Sequence, residues 1–310
     1  MTARPHATSA APRPPAHARA AATVLLAMLL AACAGGGATP SGDIAHPAGG
    51  ALVLRMATAG GFIEPQTGFS QVPSVSVFGD GRVIVPGAVD LIYPGPALPP
   101  LLVRRLSEPG LQAVLHDVLA TGLFATSRDF NGAGIGIADA GTTTFSLHAD
   151  GRDVTVSVYA LGTVDLSNPP PGVSQDELAA HRALTRLSGR LSSLDSWLPA
   201  GSWMDAAWQP FAPEAVRLLV RTADADAPDQ SGIANQLVPW PTADDPATFG
   251  DVAAQPEGAR CGVVTAADAA TWLRALMRAN QLTRFTAAAH RYQVTPRPLL
   301  PDEPRSCPIT

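Results

Sequence analysis

The histidines and carboxylates of the sequence are the first residues to consider for catalysis or metal binding. Histidine acts as a general base, a proton shuttle or a metal ligand, and each role needs a partner at a defined spacing. No two histidines stand one helical turn apart, and no Gly-x-Ser-x-Gly, His-Glu-x-x-His or Walker pattern occurs. We therefore assign no catalytic residue. The alternative is an enzyme whose Asp and His side chains come together only in space, and clustering of His148 or His181 with an aspartate in one pocket would support it.

A group of aspartates is the second candidate for chemistry. Asp224, Asp226 and Asp229 precede Asp244 and Asp245, and carboxylate oxygens are the ligands that calcium prefers. The segment lacks the loop glycine and the terminal glutamate of an EF-hand, so its pattern favours a solvated acidic loop. We expect no metal site and no cofactor.

Tryptophans in two connecting segments offer a surface for ligand binding. Trp203 and Trp208 lie in one connection that contains proline and glycine, and Trp240 lies in another. Aromatic faces give a large contact area at low entropic cost, so these residues are candidates for a platform that binds sugars or peptides. The alternative is that they fill the seam between neighbouring structural units.

The beginning of the chain has the pattern of a secretory leader. Three arginines precede the almost wholly apolar stretch 21–32, which is too short to span a bilayer. Small side chains then lead into a cysteine, in the order Leu30-Ala31-Ala32-Cys33. This order resembles the lipobox of bacterial lipoproteins, which implies a signal peptide over residues 1–32 and a diacylglycerol thioether on Cys33.

The predicted export determines how the other two cysteines are interpreted. With Cys33 acylated, Cys261 and Cys307 remain in an oxidising compartment, and an even number of cysteines there predicts one disulfide. A thiol nucleophile or a zinc site is the alternative, but no Cys-x-x-Cys motif accompanies these residues.

Hairpin and helix signals recur along the body of the chain. Alternating apolar residues flank Asp80-Gly81 and again Asp150-Gly151, which predicts two antiparallel hairpins because Asp-Gly favours tight turns. Apolar residues at helical spacing follow each hairpin, the first series behind Ser107. The second series begins with a capping box formed by Ser174 and Glu177.

The C-terminal section has a looser pattern of strand, helix and strand. Strands are predicted over 215–220 and 260–264, a helix capped by Thr265 and Asp268 follows, and 291–294 forms the last strand. The 28 glycines and 30 prolines require many turns and argue against an all-helical bundle. We predict an α+β fold with antiparallel sheets built from hairpin-plus-helix units and helices packed on one face.

The chain therefore divides into four predicted segments. A flexible tether over 33–50 follows the signal peptide, because this stretch contains several glycines and prolines. Two hairpin-helix units occupy 51–198, and the strand-helix-strand section with its disulfide occupies 199–310.

Composition and charge limit the classes of partner. All 21 basic residues are arginines, and the mature chain would keep eighteen of them against 26 acidic residues, a net charge of −8. An acidic domain without basic runs is poorly suited to bind nucleic acid, so we expect no nucleic-acid partner. The lipobox, the arginine-only basicity and the hairpin-helix body together resemble uncharacterised lipoproteins of high-GC Gram-positive bacteria. That resemblance supplies no catalytic residue.

These patterns favour a lipid-anchored protein on the extracytoplasmic face of the cell membrane. Its membrane contact is the N-terminal anchor, and we expect a non-enzymatic module that binds or scaffolds an envelope protein or ligand. Two alternatives stay open. One is an envelope enzyme with a spatially assembled Asp/His site, and the other is a binder of small ligands or glycans that uses the tryptophan loops.

Overall fold

Two mostly antiparallel β-sheets and four α-helices make up the described part of the chain. The computed structural model describes residues 42–224 and 231–307, and Ile44–Thr310 belong to one structural unit. The predicted signal peptide over 1–32 and Cys33, the predicted lipidation site, lie outside the described residues. The prediction of a mixed fold with antiparallel sheets is confirmed at this level.

The first sheet has eight strands and contains both predicted hairpins. Its strands are β1 Leu52–Ala59, β2 Val75–Phe78, β3 Arg82–Pro86, β4 Leu101–Arg105, β5 Arg128–Phe130, β6 Thr142–Ala149, β7 Arg152–Tyr159 and β8 Gln209–Pro210. Their spatial order is β5-β7-β6-β1-β2-β3-β4-β8, and only the short β5–β7 pair is parallel. In the β6–β7 turn, Asp150 and Gly151 both have positive φ, which this tight turn requires.

Pairing between β1 and β6 joins the two predicted hairpin-helix units into this single sheet. Leu54 pairs with Leu147 and Ala59 with Thr142, so β1 connects one hairpin to the other. The contact joins residues about ninety positions apart in the sequence, a kind of pairing that local turn signals do not predict.

The second sheet has six strands and belongs to the C-terminal section. Its strands are β9 Ala215–Thr222, β10 Leu237–Pro239, β11 Asp251–Val252, β12 Arg260–Thr265, β13 Arg284–Ala287 and β14 His290–Pro298. The order is β10-β13-β14-β9-β12-β11, with a parallel pair only between β10 and β13. The section is therefore richer in strands than the predicted strand-helix-strand pattern.

Four helices accompany the sheets, and their N-termini test the predicted caps. They are α1 Pro65–Ser70, α2 Glu108–Ala120, α3 Gln175–Leu191 and α4 Ala266–Leu276. The Ser107 and Ser174 side chains accept hydrogen bonds at the starts of α2 and α3, which confirms both caps. Two details of the predicted caps were wrong. The Glu177 carboxylate accepts a hydrogen bond from the Gly132 amide at 2.7 Å instead of closing a capping box at the start of α3. At the start of α4, the Thr265 side chain makes no capping hydrogen bond.

The main hydrophobic core lies against the first sheet. Alternate residues of β6 and β7 are buried, as period-two patterning predicts, and apolar residues of α2 and α3 join them in one cluster. A second cluster, which includes Trp272 and Phe285, fills the C-terminal section. A smaller cluster of Phe78, Ile84, Leu101 and Leu300 combines side chains of the first sheet with the chain that follows β14.

The packed chain begins earlier than the predicted end of the tether at residue 50. The side-chain amide of Gln112 on α2 donates to the Ile44 carbonyl at 3.0 Å and accepts from the Ile44 amide at 2.8 Å. The Asp150 amide donates to the Ala45 carbonyl, and the Ile44 side chain is buried. Because these bonds satisfy its backbone, the segment from Ile44 onward is part of the folded body.

The C-terminal segment is fastened to the body by a disulfide and by arginines. Cys261 and Cys307 are bonded, with their Cα atoms 6.0 Å apart. Arg217 donates to the Ser306 carbonyl at 2.9 Å, and the guanidinium of Arg297 forms a bidentate pair with Glu303 at 2.7 and 2.6 Å. The predicted pairing of the two cysteines is present.

Candidate functional site

The structure separates the three tryptophans of the predicted ligand platform. Trp203 and Trp208 are in contact, with ring centroids 5.5 Å apart in an edge-to-face arrangement. Trp240 is buried in the core of the second sheet, where its ring lies 4.7 Å from that of Trp272. A single platform of Trp203, Trp208 and Trp240 is therefore not formed, because burial of Trp240 against the aromatic core removes it from the surface.

The histidines are not gathered around one group. His290 forms the closest pair, with its Nδ1 2.6 Å from Asp224 Oδ2, while His148 lies 3.3 Å from Asp153. Both pairs are at the surface. The hydrogen bond from His290, together with that from the Arg291 amide, lowers the pKa of Asp224 below its ordinary value.

His181 on α3 differs from the other histidines because it is buried. Its Nε2 has no hydrogen-bond partner among the described residues. Burial lowers its pKa below the ordinary value, and the charge of Glu177, one helical turn earlier, opposes part of that effect. No histidine lines either of two grooves, one beside Pro94 and Met277 and the other beside Cys261, so neither groove has the Asp/His chemistry of the enzyme alternative.

The aspartate-rich segment does not assemble a metal site in the described residues. Asp226 and Asp229 lie outside them, and Asp245 accepts from the Ala247 amide at 2.9 Å as the cap of a short 3-10 helix. Within 42–224 and 231–307, no three His, Cys, Asp or Glu side chains are grouped to hold a metal ion. In the same ranges, no helix combines the length and apolar character needed to cross a bilayer.

A large groove of the described structure lies beside the proline-rich link between β3 and β4. We call it the proline groove; its walls are residues of the link 88–101, of the segment Pro210 to Pro213, and of α4 with the residues just after it. Its volume is about 660 Å³, within the range of small-molecule sites. Its lining includes seven prolines, at positions 94, 96, 99, 100, 210, 213 and 298.

Backbone hydrogen bonds hold the link against the chain that follows α4. The Ala97 amide donates to the Ala279 carbonyl at 3.1 Å, and the Gln281 amide donates to the Gly95 carbonyl at 3.0 Å. The Gln281 side chain accepts from the Gly95 amide at 3.1 Å. These bonds fix one wall of the groove even though proline lacks the amide hydrogen that a regular strand needs.

The proline groove is apolar and its rim is exposed. Only Asp90 and Asn280 contribute polar side chains to the lining. Near the rim, Leu91 and Ile92 are 105% and 65% exposed, and Met277 at the end of α4 is 71% exposed. Adjacent exposed apolar residues beside a concave apolar wall indicate a binding surface, because such groups are normally buried.

The stretch 86–100 has no helix or strand period, and its prolines and glycines indicate a connection between elements. Two features of this stretch indicate a surface for binding as well as a connection. It carries a single charged residue, Asp90, and it places Leu91, Ile92 and Tyr93 side by side without a helical or strand period. The groove also depends on α4, which forms another of its walls and lies about 175 residues further along the chain.

Comparison with known proteins gives no relative from which roles could be transferred. No protein-family model, no curated protein and no solved structure matches the chain. Functional inference therefore depends on the chemistry of its own surfaces.

Proposed function

We propose that the chain is a lipid-anchored protein on the extracytoplasmic face of a bacterial cell membrane, and that its folded part binds an apolar ligand in the proline groove. The leader pattern that ends at Cys33 supports the anchor and the location. The observation that carries the binding proposal is a groove of about 660 Å³ with only two polar side chains in its lining.

The chemistry of the walls favours a hydrocarbon chain, such as the acyl chain of a lipid, over a peptide. A bound peptide must satisfy its own amide and carbonyl groups, and an unsatisfied buried amide costs several kcal/mol, on the order of 2–7. The seven prolines offer no amide donors, and only Asn280 adds a neutral side-chain amide. A hydrocarbon chain has no such requirement. Because the lining has no cation, it is also unsuited to an anionic head group.

The position of the groove keeps it away from the point where the N-terminal segment joins the fold. Ile44 and Ala45 contact the end of the first sheet at which β1 begins, as the bond from Asp150 shows. The proline groove lies beyond Pro86, the last residue of β3. The β1–β2 and β2–β3 pairings place Pro86 level with Ala57, which is close to the other end of β1. About 20 Å of strand length therefore separates the two levels, at about 3.3 Å per residue.

We also propose that α2 and α3 cover the same face of the first sheet, the finer part of the predicted architecture. Their apolar residues share one hydrophobic cluster with β6 and β7, which supports this arrangement. The opposite face would then contact the C-terminal section through Phe78 and Ile84.

The binding proposal is tested with a neutral, apolar fluorescent probe, N-phenyl-1-naphthylamine, whose emission rises in apolar surroundings. The protein is the chain from Ala34 onward, which contains the whole unit Ile44–Thr310 but no acyl chains. We expect saturable binding that weakens at least about tenfold in Met277→Arg, equivalent to about 1.4 kcal/mol, because the substitution places a charge at the groove.

Met204→Arg is the matched control. Met204 is 65% exposed, close to the exposure of Met277, but it does not line the groove. Equal affinity of both variants for the probe, or an absence of saturable binding to the unmodified chain, contradicts the proposal.

A further inference from the structure

A second cavity lies on the other side of strand β4 and has a different chemistry. We call it the Trp208 cavity; it has a volume of about 400 Å³, and its lining combines Trp208, Asp195, Ser74, Ser192 and Ser193 with six apolar residues of β2, β3, β4, α3 and the chain just after α3. Leu101 lines the proline groove and Leu102 lines the Trp208 cavity. Because consecutive side chains of a strand point to opposite faces, the two sites are separated by the sheet.

The Trp208 ring is held in a fixed orientation. Its Nε1 donates to Asp195 Oδ2 at 2.7 Å, and its edge-to-face contact with Trp203 is described above. The Arg104 guanidinium lies 4.3 Å from the centre of the Trp203 ring and donates to Asp195 Oδ1. Arg104 also donates to the Asp205 and Ala206 carbonyls, at 3.1 and 3.0 Å. Such restraint lowers the entropic cost of binding a ligand against the ring.

Four polar side chains share the cavity with Trp208, in a wall that is otherwise apolar. A carboxylate has about four acceptor positions, so Asp195 keeps acceptor capacity after it has bonded Trp208 and Arg104. The Ser193 hydroxyl donates to the Gly189 carbonyl at 2.6 Å, and Ser74 and Ser192 add two further hydroxyl groups. An aromatic surface with hydroxyl and carboxylate groups around it complements a molecule that has both C–H faces and hydroxyl groups.

We propose that the Trp208 cavity binds a neutral saccharide, with one sugar ring packed on Trp208 and sugar hydroxyls donating to Asp195. The charge of the cavity supports a neutral ligand, because Asp195 repels anions and Arg104 is already engaged with Asp195 and two carbonyls. The site is independent of the proline groove.

Isothermal titration of four neutral trisaccharides tests this proposal: maltotriose, cellotriose, mannotriose and triacetylchitotriose. The protein is the full mature chain held in lipid nanodiscs, which do not absorb sugars. We expect at least one trisaccharide to bind with a Kd below about 1 mM. Ser192→Trp should weaken that binding at least about tenfold, because Ser192 is exposed and the indole would fill the cavity.

Asp195→Asn is the second variant, for the case that Ser192→Trp disturbs the fold. The asparagine oxygen still accepts from Trp208, but charge-assisted bonds from sugar hydroxyls are lost, so affinity falls. Leu237→Arg is the control: Leu237 is exposed on β10 and lines neither the proline groove nor the Trp208 cavity, so this variant should bind the sugar with unchanged affinity. The proposal is overturned if none of the four trisaccharides binds, or if a trisaccharide binds both cavity variants with the same affinity as the unmodified chain.

Discussion

Acidification should destabilise this protein through His181, and replacement of His181 by leucine should remove that effect. The imidazole is buried on α3 and its Nε2 has no partner in the described residues, so protonation in the folded state is disfavoured. In the unfolded chain the same ring takes a proton near its ordinary pKa of about 6.5. Below that pH the unfolded state binds more protons than the folded state, so the free energy of unfolding falls as pH falls.

The size of the effect follows from proton linkage. If His181 remains neutral in the fold, the free energy of unfolding decreases by about 1.4 kcal/mol between about pH 7.5 and pH 5.5, the value for one proton whose unfolded pKa is about 6.5. The paired carboxylates respond in a lower range, because their ordinary pKa values lie near 4. Because the chain has other histidines, the effect of His181 is isolated by comparison with a variant that lacks it.

The assay is urea denaturation at a series of pH values, applied to the wild-type chain and to His181→Leu. All other titratable groups are common to both proteins, so the difference between the two profiles isolates His181. We expect His181→Leu to be at least as stable as wild type near neutral pH, because an apolar group replaces an unpaired polar one. The two profiles should diverge as pH falls. Profiles that stay parallel from about pH 7.5 to 5.5 would refute the reasoning, because burial would then not oppose protonation.

Three further predictions concern the anchor and the C-terminal segment. Cys33→Ser should shift the protein from the membrane fraction to the soluble fraction on cell fractionation, and a variant that stays membrane-bound would exclude the lipid anchor. Cys307→Ser should lower the free energy of unfolding by up to about 4 kcal/mol in denaturant titration, the chain-entropy value for a loop of 46 residues; unchanged stability would show that the bridge does not restrain the unfolded chain. Arg297→Met should cost about 3–5 kcal/mol in the same assay, because it leaves the largely buried Glu303 carboxylate without its bidentate partner. A loss below about 1 kcal/mol would show that solvent replaces Arg297 there.

The elements that sequence predicted best are those whose signals are local. Asp80-Gly81 and Asp150-Gly151 lie in the turns of real hairpins, because positive φ at a tight turn is a property of one or two residues. Ser107 and Ser174 cap real helices for the same reason. Features that depend on distant partners were missed, such as the β1–β6 pair that joins the two units into one sheet.

The candidate sites also depend on residues that are distant in the sequence, so local patterns do not predict them. Trp240 and Trp208 look alike in the sequence, since both lie in loops, yet one packs in an aromatic core and the other lines a cavity. Glu177 fits a capping box by spacing, but the Gly132 amide competes successfully for its carboxylate. The proline groove forms only because the link between β3 and β4 lies beside α4. No sequence pattern within either segment predicts that they lie side by side.

The position of β1 within the first sheet has a mechanical consequence. The chain enters the fold through Ile44 and then through β1, a central strand paired with β2 on one side and β6 on the other. Tension applied from an N-terminal anchor would reach β1 only after the hydrogen bonds of Ile44 and Ala45, and β1 is held by a hydrogen-bonded ladder on each side. Many bonds must then yield together, whereas a strand at the sheet edge pulled sideways would peel away one bond at a time. Because resistance to force is governed by the unfolding rate, this attachment point favours a domain that stays folded while its tether is pulled.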